Sequence, residues 1–194
     1  MPTYRRAHEP GGTFFFTLVT ENRARFLCGD QARQLLRAAL AEAKRRWPFR
    51  IDAIVLLPDH LHAIWTLPPE DADFSTRWSF MKGQFTRAWL AAGGREAPTS
   101  ASRKRNRRRG VWQRRFWEHM IRDERDFERH CDYIHYNAVK HSEATCPHAW
   151  PFSTFRQFVR QRIYARDWQC GCNASGAAAP APPTFDGLDE TAME

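Results

Sequence analysis

The chain reads as an α+β domain of the ferredoxin-like kind. That is an antiparallel four-stranded sheet with helices on one face, plus an added helix that carries a tyrosine. Three observations lead there. Short apolar runs rich in Phe, Ile, Val and Leu alternate with longer segments that repeat apolar residues at helical spacing. Their order is strand, helix, strand, strand, helix, strand. The length of 194 residues with 42% hydrophobic content suits one cored domain with appendages.

Each element has its own signal. Gly11-Gly12 precede Thr13 to Thr20, a strand apolar on both faces near its centre. Gly29-Asp30 offers a turn and an N-cap for a helix over Gln31–Trp47, where Leu35, Leu36, Ala39, Leu40 and Ala43 repeat and Pro48 ends the run. Phe49–Leu57 and His60–Leu67 are strands close enough to form a hairpin across Pro58-Asp59. Ser75–Ala91 is a helix striped by Trp78, Met81, Phe85, Ala88 and Trp89 and closed by Gly93-Gly94. Val111–Arg114 is the predicted fourth strand. Asp123 to about Tyr136 is the added helix, and Phe152–Tyr164 contains a short terminal one.

The catalytic-type domain is expected over 1–172, with a basic loop at about 95–110. From Asn173 the chain turns Ala/Pro/Gly-rich with four acids and no basic residue, which predicts a disordered acidic tail, 173–194. Setting that tail aside, the formal +8 of the whole chain becomes +12 on residues 1–172. Such an excess favours a polyanion, nucleic acid before an acidic membrane surface. No stretch is apolar for long enough to span a bilayer, and the N-terminus lacks an export-type core, so a cytoplasmic, nucleoid-associated protein is expected. The five cysteines, Cys28, Cys131, Cys146, Cys170 and Cys172, are odd in number. Cys170-Gly171-Cys172 lacks the spacing of a zinc knuckle and no second pair completes it, so reduced, unlinked thiols are expected.

Three groups of residues carry chemistry. His60-Leu61-His62 sits on a strand, so its two imidazoles share a face and can reach one cation while Leu61 enters the opposite layer. His-x-His alone is a weak signal that needs a third ligand. Tyr133 and Asn137 are four apart on a helix and bring a hydroxyl and an amide to one side; packing alone is the competing account of each. Arg103, Lys104, Arg105, Arg107, Arg108 and Arg109 place six basic residues in seven, followed by Arg114 and Arg115. That run predicts phosphate contacts and a steep salt dependence. Trp112, Phe116 and Trp117 interleave with it as candidate stacking rings for unpaired bases, Trp112 first. Their alternative place is the core.

With these residues in view, the chain resembles the IS200-like tyrosine transposases, in the branch associated with repetitive extragenic palindromes (REP elements). The resemblance spans roughly residues 4–168. It rests on GGTFFFTLVTENR, AIVLLPDHLHAIWTLP, VWQRRFWEHMIRDERDFERHCDYIHYNAVKH and AWPFSTFRQFV in the family's order. It implies a ferredoxin-like fold and a metal held by His60, His62 and Asn137. It implies Tyr133, the first tyrosine of the Tyr-Ile-x-x-Asn segment, as nucleophile. The family's usual Asn-Pro is Asn137-Ala138 here, and its usual Pro-Asn is Pro58-Asp59, departures that remove no catalytic group.

The implied activity is cleavage and rejoining of single-stranded DNA beside a palindromic hairpin through a 5′-phosphotyrosine, with Mg²⁺ or Mn²⁺ as cofactor and a monomer or homodimer as the unit. Nitrogen donors suit Mn²⁺ somewhat better. A tyrosine pKa near 10 calls for help with the proton, for which His135 and Lys140 are candidates. Asp59 is a candidate to orient a histidine or hold a water, against a plain turn role. His119 is expected to be structural or DNA-facing. Competing readings are a hairpin-binding protein that no longer cleaves, an RNA-binding module on the same type of sheet, and a phosphohydrolase that uses water. The second leaves the histidine pair without a role, and the third leaves Tyr133 without one.

Overall fold

The computed structural model describes residues 8–106 and 108–171, the side chain of Lys104 excepted. Residues 1–7, Arg107 and the segment 172–194, with the expected tail, lie outside the described residues. The sheet has four strands, β1 (Thr13–Val19), β2 (Arg50–Leu56), β3 (His60–Thr66) and β4 (Trp117–Met120), in the order β2-β3-β1-β4. Every neighbouring pair is antiparallel. The helices are α1 (Asp30–Arg46), α2 (Phe74–Ala91), α3 (Ala101–Arg105), α4 (Glu124–Lys140) and α5 (Phe155–Arg160). This is the ferredoxin-like arrangement with added helices.

Side-chain alternation on the strands builds two cores. Phe14, Phe16, Leu18, Leu61, Ala63 and Trp65 face α1 and α2, where Trp65 stacks on Trp78 with ring centroids 3.6 Å apart. The buried Arg77 is reconciled with that layer by donating to the carbonyls of Trp47, Pro48 and Asp73 and to Asp71. Phe15, Ala53, Val55 and Ile64 face the other way, against Cys131, Tyr133 and Ile134 of α4. The tyrosine-bearing helix therefore covers the second face of the sheet, and the strand residues turned toward it form one wall of the site. Burial of each such large apolar side chain contributes roughly 1.5–3 kcal/mol. α4 starts cleanly because Asp123 caps it, its carboxylate accepting from Asp126 N at 2.8 Å.

Three expectations are corrected. The fourth strand is Trp117–Met120, not Val111–Arg114: Val111 and Trp112 are buried in the α1/α2 core, and Trp112 makes only an isolated bridge to Thr20. The basic segment is not one irregular loop, since Ala101–Arg105 is helical. Cys146 and Cys170 are joined as a disulfide, whereas unlinked thiols were expected; the turn after α5 folds back so that Gly171 N donates to Thr145 O at 3.3 Å. Cys28 and Cys131 are free. Among the described residues no helix is long and apolar enough to cross a membrane.

Candidate active site

The hairpin between β2 and β3 turns on Pro58-Asp59, closed by Leu57 N donating to His60 O at 2.8 Å. The segment between β1 and α1 holds that turn: Phe26 N and Leu27 N donate to Pro58 O, and Thr20 donates to Asp59 O through both its amide and its hydroxyl. β3 then points His60 and His62 toward α4 and Leu61 into the opposite core, as the strand period requires. The two imidazole centroids are 4.9 Å apart.

Each imidazole has one nitrogen engaged. His60 Nδ1 lies 2.6 Å from Asp59 Oδ1, and Asp59 Oδ2 accepts from Arg23 at 3.1 Å. His62 Nδ1 lies 2.8 Å from Thr17 Oγ1, the residue opposite it on β1. The Nε2 atoms of both rings are buried with no hydrogen-bond partner among the described residues. Burial of Asp59 works to raise its carboxyl, but His60 and Arg23 prevail and hold it down at about 2. Burial, above all, keeps the His62 imidazole well below the usual histidine range and so neutral.

Helix α4 supplies the other half. The Tyr133 ring stands against His62 at 5.1 Å between centroids, and His141, at the C-terminal end of the helix, stands against His60 at 5.0 Å. Asn137 lies one turn after the first and one turn before the second, on the same face, which brackets its amide at the histidine pair. Its Oδ1 and Nδ2 are buried and have no hydrogen-bond partner among the described residues. Unpaired buried donors and acceptors are rare, and two imidazole nitrogens with one amide oxygen make a donor set for a divalent cation. His60, His62, Tyr133 and Asn137 are each at most 2% exposed.

Other candidates fall as follows. Lys140 Nζ sits 5.0 Å from the centroid of the Tyr133 ring. His135 points away from that ring: it is buried against Phe155, Phe158 and Tyr164 and bonded to Thr154 Oγ1 at 2.9 Å, so it cannot take the tyrosine proton. His119 belongs to a His/Asp group with Asp126 and His130 whose ligand atoms lie within 4.8 Å of one another, a group able to hold a metal ion. The Phe15 ring separates that group from the first, touching His130 at 4.8 Å and His62 at 5.4 Å between centroids.

Two residues of the site, Thr17 and His141, are not singled out by the sequence motifs. His141 carries a legible signal, a helical turn beyond Asn137. Thr17 carries none, because its partner is set by strand register.

The basic residues gather at a cleft of about 810 Å³ lined by Lys82, Arg87, Arg103, Arg108, Arg109 and Arg114, with Trp112 at its wall. Residues 112–114 run beside β1 at the end where His60 sits: Gln113 N donates to Val19 O, and Val19 is the register partner of His60. Not all of this charge is available. Arg103 forks onto Glu21 at 2.6 and 2.9 Å, and Arg109 forks onto Glu96. Arg105, Arg108, Arg114 and Arg115 are exposed. Trp112 is 4% exposed with its ring against Phe85, so it belongs to the core and offers no face to a base. Lys104 and Arg107 have no described side chain.

No family model matches the chain. Among curated proteins, the REP-associated tyrosine transposase of Escherichia coli K12 is 44% identical over 168 residues, 87% of this chain and 91% of that protein. A Haemophilus influenzae relative with the same family designation is 40% identical over 168 residues, covering 87% and 93%. A solved structure of a REP-associated tyrosine transposase bound to a REP hairpin superposes with a TM-score of 0.73 at 44% identity, over 87% of this chain and 91% of that one. At such identity, over most of both lengths, the chain belongs to the REP-associated tyrosine transposase family.

Proposed function

We propose that this tyrosine transposase cuts and rejoins single-stranded DNA beside a REP-like hairpin, with Tyr133 as nucleophile and His60, His62 and Asn137 as the holders of one Mg²⁺ or Mn²⁺ ion. The observation that carries the reading is the pair of buried Nε2 atoms without partners, next to the Tyr133 ring. The solved family member with its REP hairpin supports the substrate class. A cytoplasmic site of action and a monomer or homodimer complete the proposal.

The residues divide the work. The cation, when bound, supplies a Lewis acid that offsets charge on the scissile phosphate. Asp59 and Thr17 hold the imidazoles in one orientation. Lys140, its ammonium over the Tyr133 ring, favours the phenolate. Tyr133 Oη attacks phosphorus and the bond to the 3′-oxygen breaks. That leaves a 5′-phosphotyrosine and a free 3′-hydroxyl; attack by another 3′-hydroxyl reverses the step without ATP. The exposed arginines of the cleft neutralise the strand's phosphates.

The test is incubation with hairpin-bearing single-stranded DNA and Mn²⁺ or Mg²⁺. The expected result is a denaturation-resistant protein–DNA adduct that Tyr133→Phe abolishes while hairpin binding persists. An adduct that survives Tyr133→Phe and disappears in Tyr136→Phe would overturn the nucleophile. Hairpin binding with no cleavage under any metal would leave a binding protein that has lost its chemistry.

A further inference from the structure

A third group of metal-type ligands lies where the chain folds back after α4. Cys146 precedes the 3-10 turn Pro147–Ala149, which carries His148, and Cys170 sits in the turn beyond α5. Sγ of both cysteines and an imidazole nitrogen of His148 lie within 4.8 Å of one another. Cys146 is fully buried and Cys170 is 6% exposed. His148 Nδ1 is itself buried and has no hydrogen-bond partner among the described residues. Arg156 of α5 donates to the His148 carbonyl at 3.4 and 3.3 Å, which pins the turn in place. A buried imidazole nitrogen without a partner, on a ring that reaches two sulfurs, is costly unless something takes its lone pair or its proton.

Two thiolates and an imidazole are the donors that structural Zn²⁺ sites use, and their softness disfavours Mg²⁺. Bonds of about 2.3 Å to sulfur and about 2.0–2.1 Å to nitrogen put tetrahedral ligand atoms roughly 3.3–3.8 Å apart. That spacing falls inside the bound the group already meets. The geometry therefore asks for side-chain adjustment and not for refolding.

We propose that reduced Cys146 and Cys170, with His148, bind one Zn²⁺ ion that fastens the segment after α4 onto α5, and that the disulfide and the zinc site are alternative states of one cysteine pair. In the first step a dithiol reductant breaks the Sγ–Sγ bond. The pair gains two electrons and two protons, and the reductant closes to its own disulfide. In the second, two thiol protons leave as two sulfur–zinc bonds and one nitrogen–zinc bond form, with water in the fourth position. This site is separate from the His60–His62 site and does not rest on its assignment. Cys172 lies outside the described residues and is not one of the three ligands.

The test uses the full chain, reduced by a phosphine and desalted without oxygen, then titrated with Co²⁺ and Zn²⁺. Thiolate-to-cobalt charge-transfer absorption reports this site and is silent for one built from imidazoles and an amide. The expected result is one equivalent of thiolate-bound Co²⁺ per chain, displaced by Zn²⁺, absent from the oxidised chain and lost in Cys146→Ser and Cys170→Ser. His148→Ala keeps both thiols and is expected to weaken binding by at least the roughly 10–100-fold that loss of an outer-shell partner costs. Cys172→Ser is expected to keep the signal. Should the cysteine variants fail to fold, His148→Ala decides alone. No thiolate signal in the reduced chain, or unchanged affinity in His148→Ala, would overturn the proposal.

Discussion

Asp59 Oδ1 lies 2.6 Å from His60 Nδ1, with Arg23 on the other carboxylate oxygen. A carboxylate held at about 2 stays ionised and accepts, so the proton belongs on Nδ1 and the lone pair on Nε2, the atom left facing α4. Thr17 Oγ1 meets His62 Nδ1 at 2.8 Å and leaves the Nε2 of that ring unengaged as well. Arg23 reaches Asp59 from a backbone with φ 51°, a left-handed conformation rare for a side-chain-bearing residue, retained where the surrounding contacts require it.

From this comes the first prediction. Asp59→Asn is expected to lower Mn²⁺ affinity about 10–100-fold while the fold is kept, because the ligand's orientation is lost and not the ligand. His60→Ala and His62→Ala should abolish binding. Calorimetric titration of the metal reads all three, and wild-type affinity in Asp59→Asn would reduce that residue to a turn former.

The ammonium of Lys140 over the Tyr133 ring yields a second. Lys140→Met is expected to slow adduct formation and move the pH–rate profile to higher pH, as a phenol without its cationic neighbour ionises later. Assisted proton transfer is worth about 10²–10⁴-fold, so a loss of about ten-fold or more is expected at neutral pH. A profile that drops without shifting would assign Lys140 to DNA contact.

Two buried histidines make stability depend on pH. Burial lowers His130 to about 4 and His135 to about 3. The native state holds both neutral, while the unfolded chain takes protons near the ordinary histidine pKa of about 6.5. Their contribution is complete above about 6.5 and is lost as pH falls toward the folded values. The expected slope is about 1.4 kcal/mol per pH unit per histidine between roughly pH 6 and 4. Urea midpoints at several pH values should show it, and His135→Gln should flatten it. An equal slope in that variant would exclude His135.

The described arginines in and beside the basic cleft divide into exposed and acid-paired charge. Arg108→Ala, Arg114→Ala and Arg115→Ala are each expected to reduce the log–log salt slope of single-strand binding by about 0.7. Trp112→Ala should act on the core, costing about 3–5 kcal/mol of stability without a stacking-specific loss of affinity. Filter binding across a salt series and denaturant melts separate the two. A stable Trp112→Ala with weakened binding would return that ring to the DNA.

Much of the fold was legible because its signals are local. The run of three phenylalanines at 14–16 marks a strand buried on both sides, and it divides between the two cores as that pattern demands. The same local signals misplace the fourth strand. Val111-Trp112 is apolar and looks like a strand, while Trp117–Met120 carries Glu118 and His119, and only pairing with β1 makes it one.

The amino-acid sequence by itself determined that His60 and His62 share a strand face and that Tyr133 and Asn137 share a helix face, because periods of 2 and 3.6 residues fix direction within a few bonds. It also determined the excess of positive charge. Only the tertiary structure decided that these two faces meet, that Asp59 and Thr17 take the Nδ1 atoms, that His135 turns away, and that Cys146 meets Cys170. Those relationships join segments far apart in the chain. They are set by which faces can be buried together, a property of the whole packed core that no window of sequence contains.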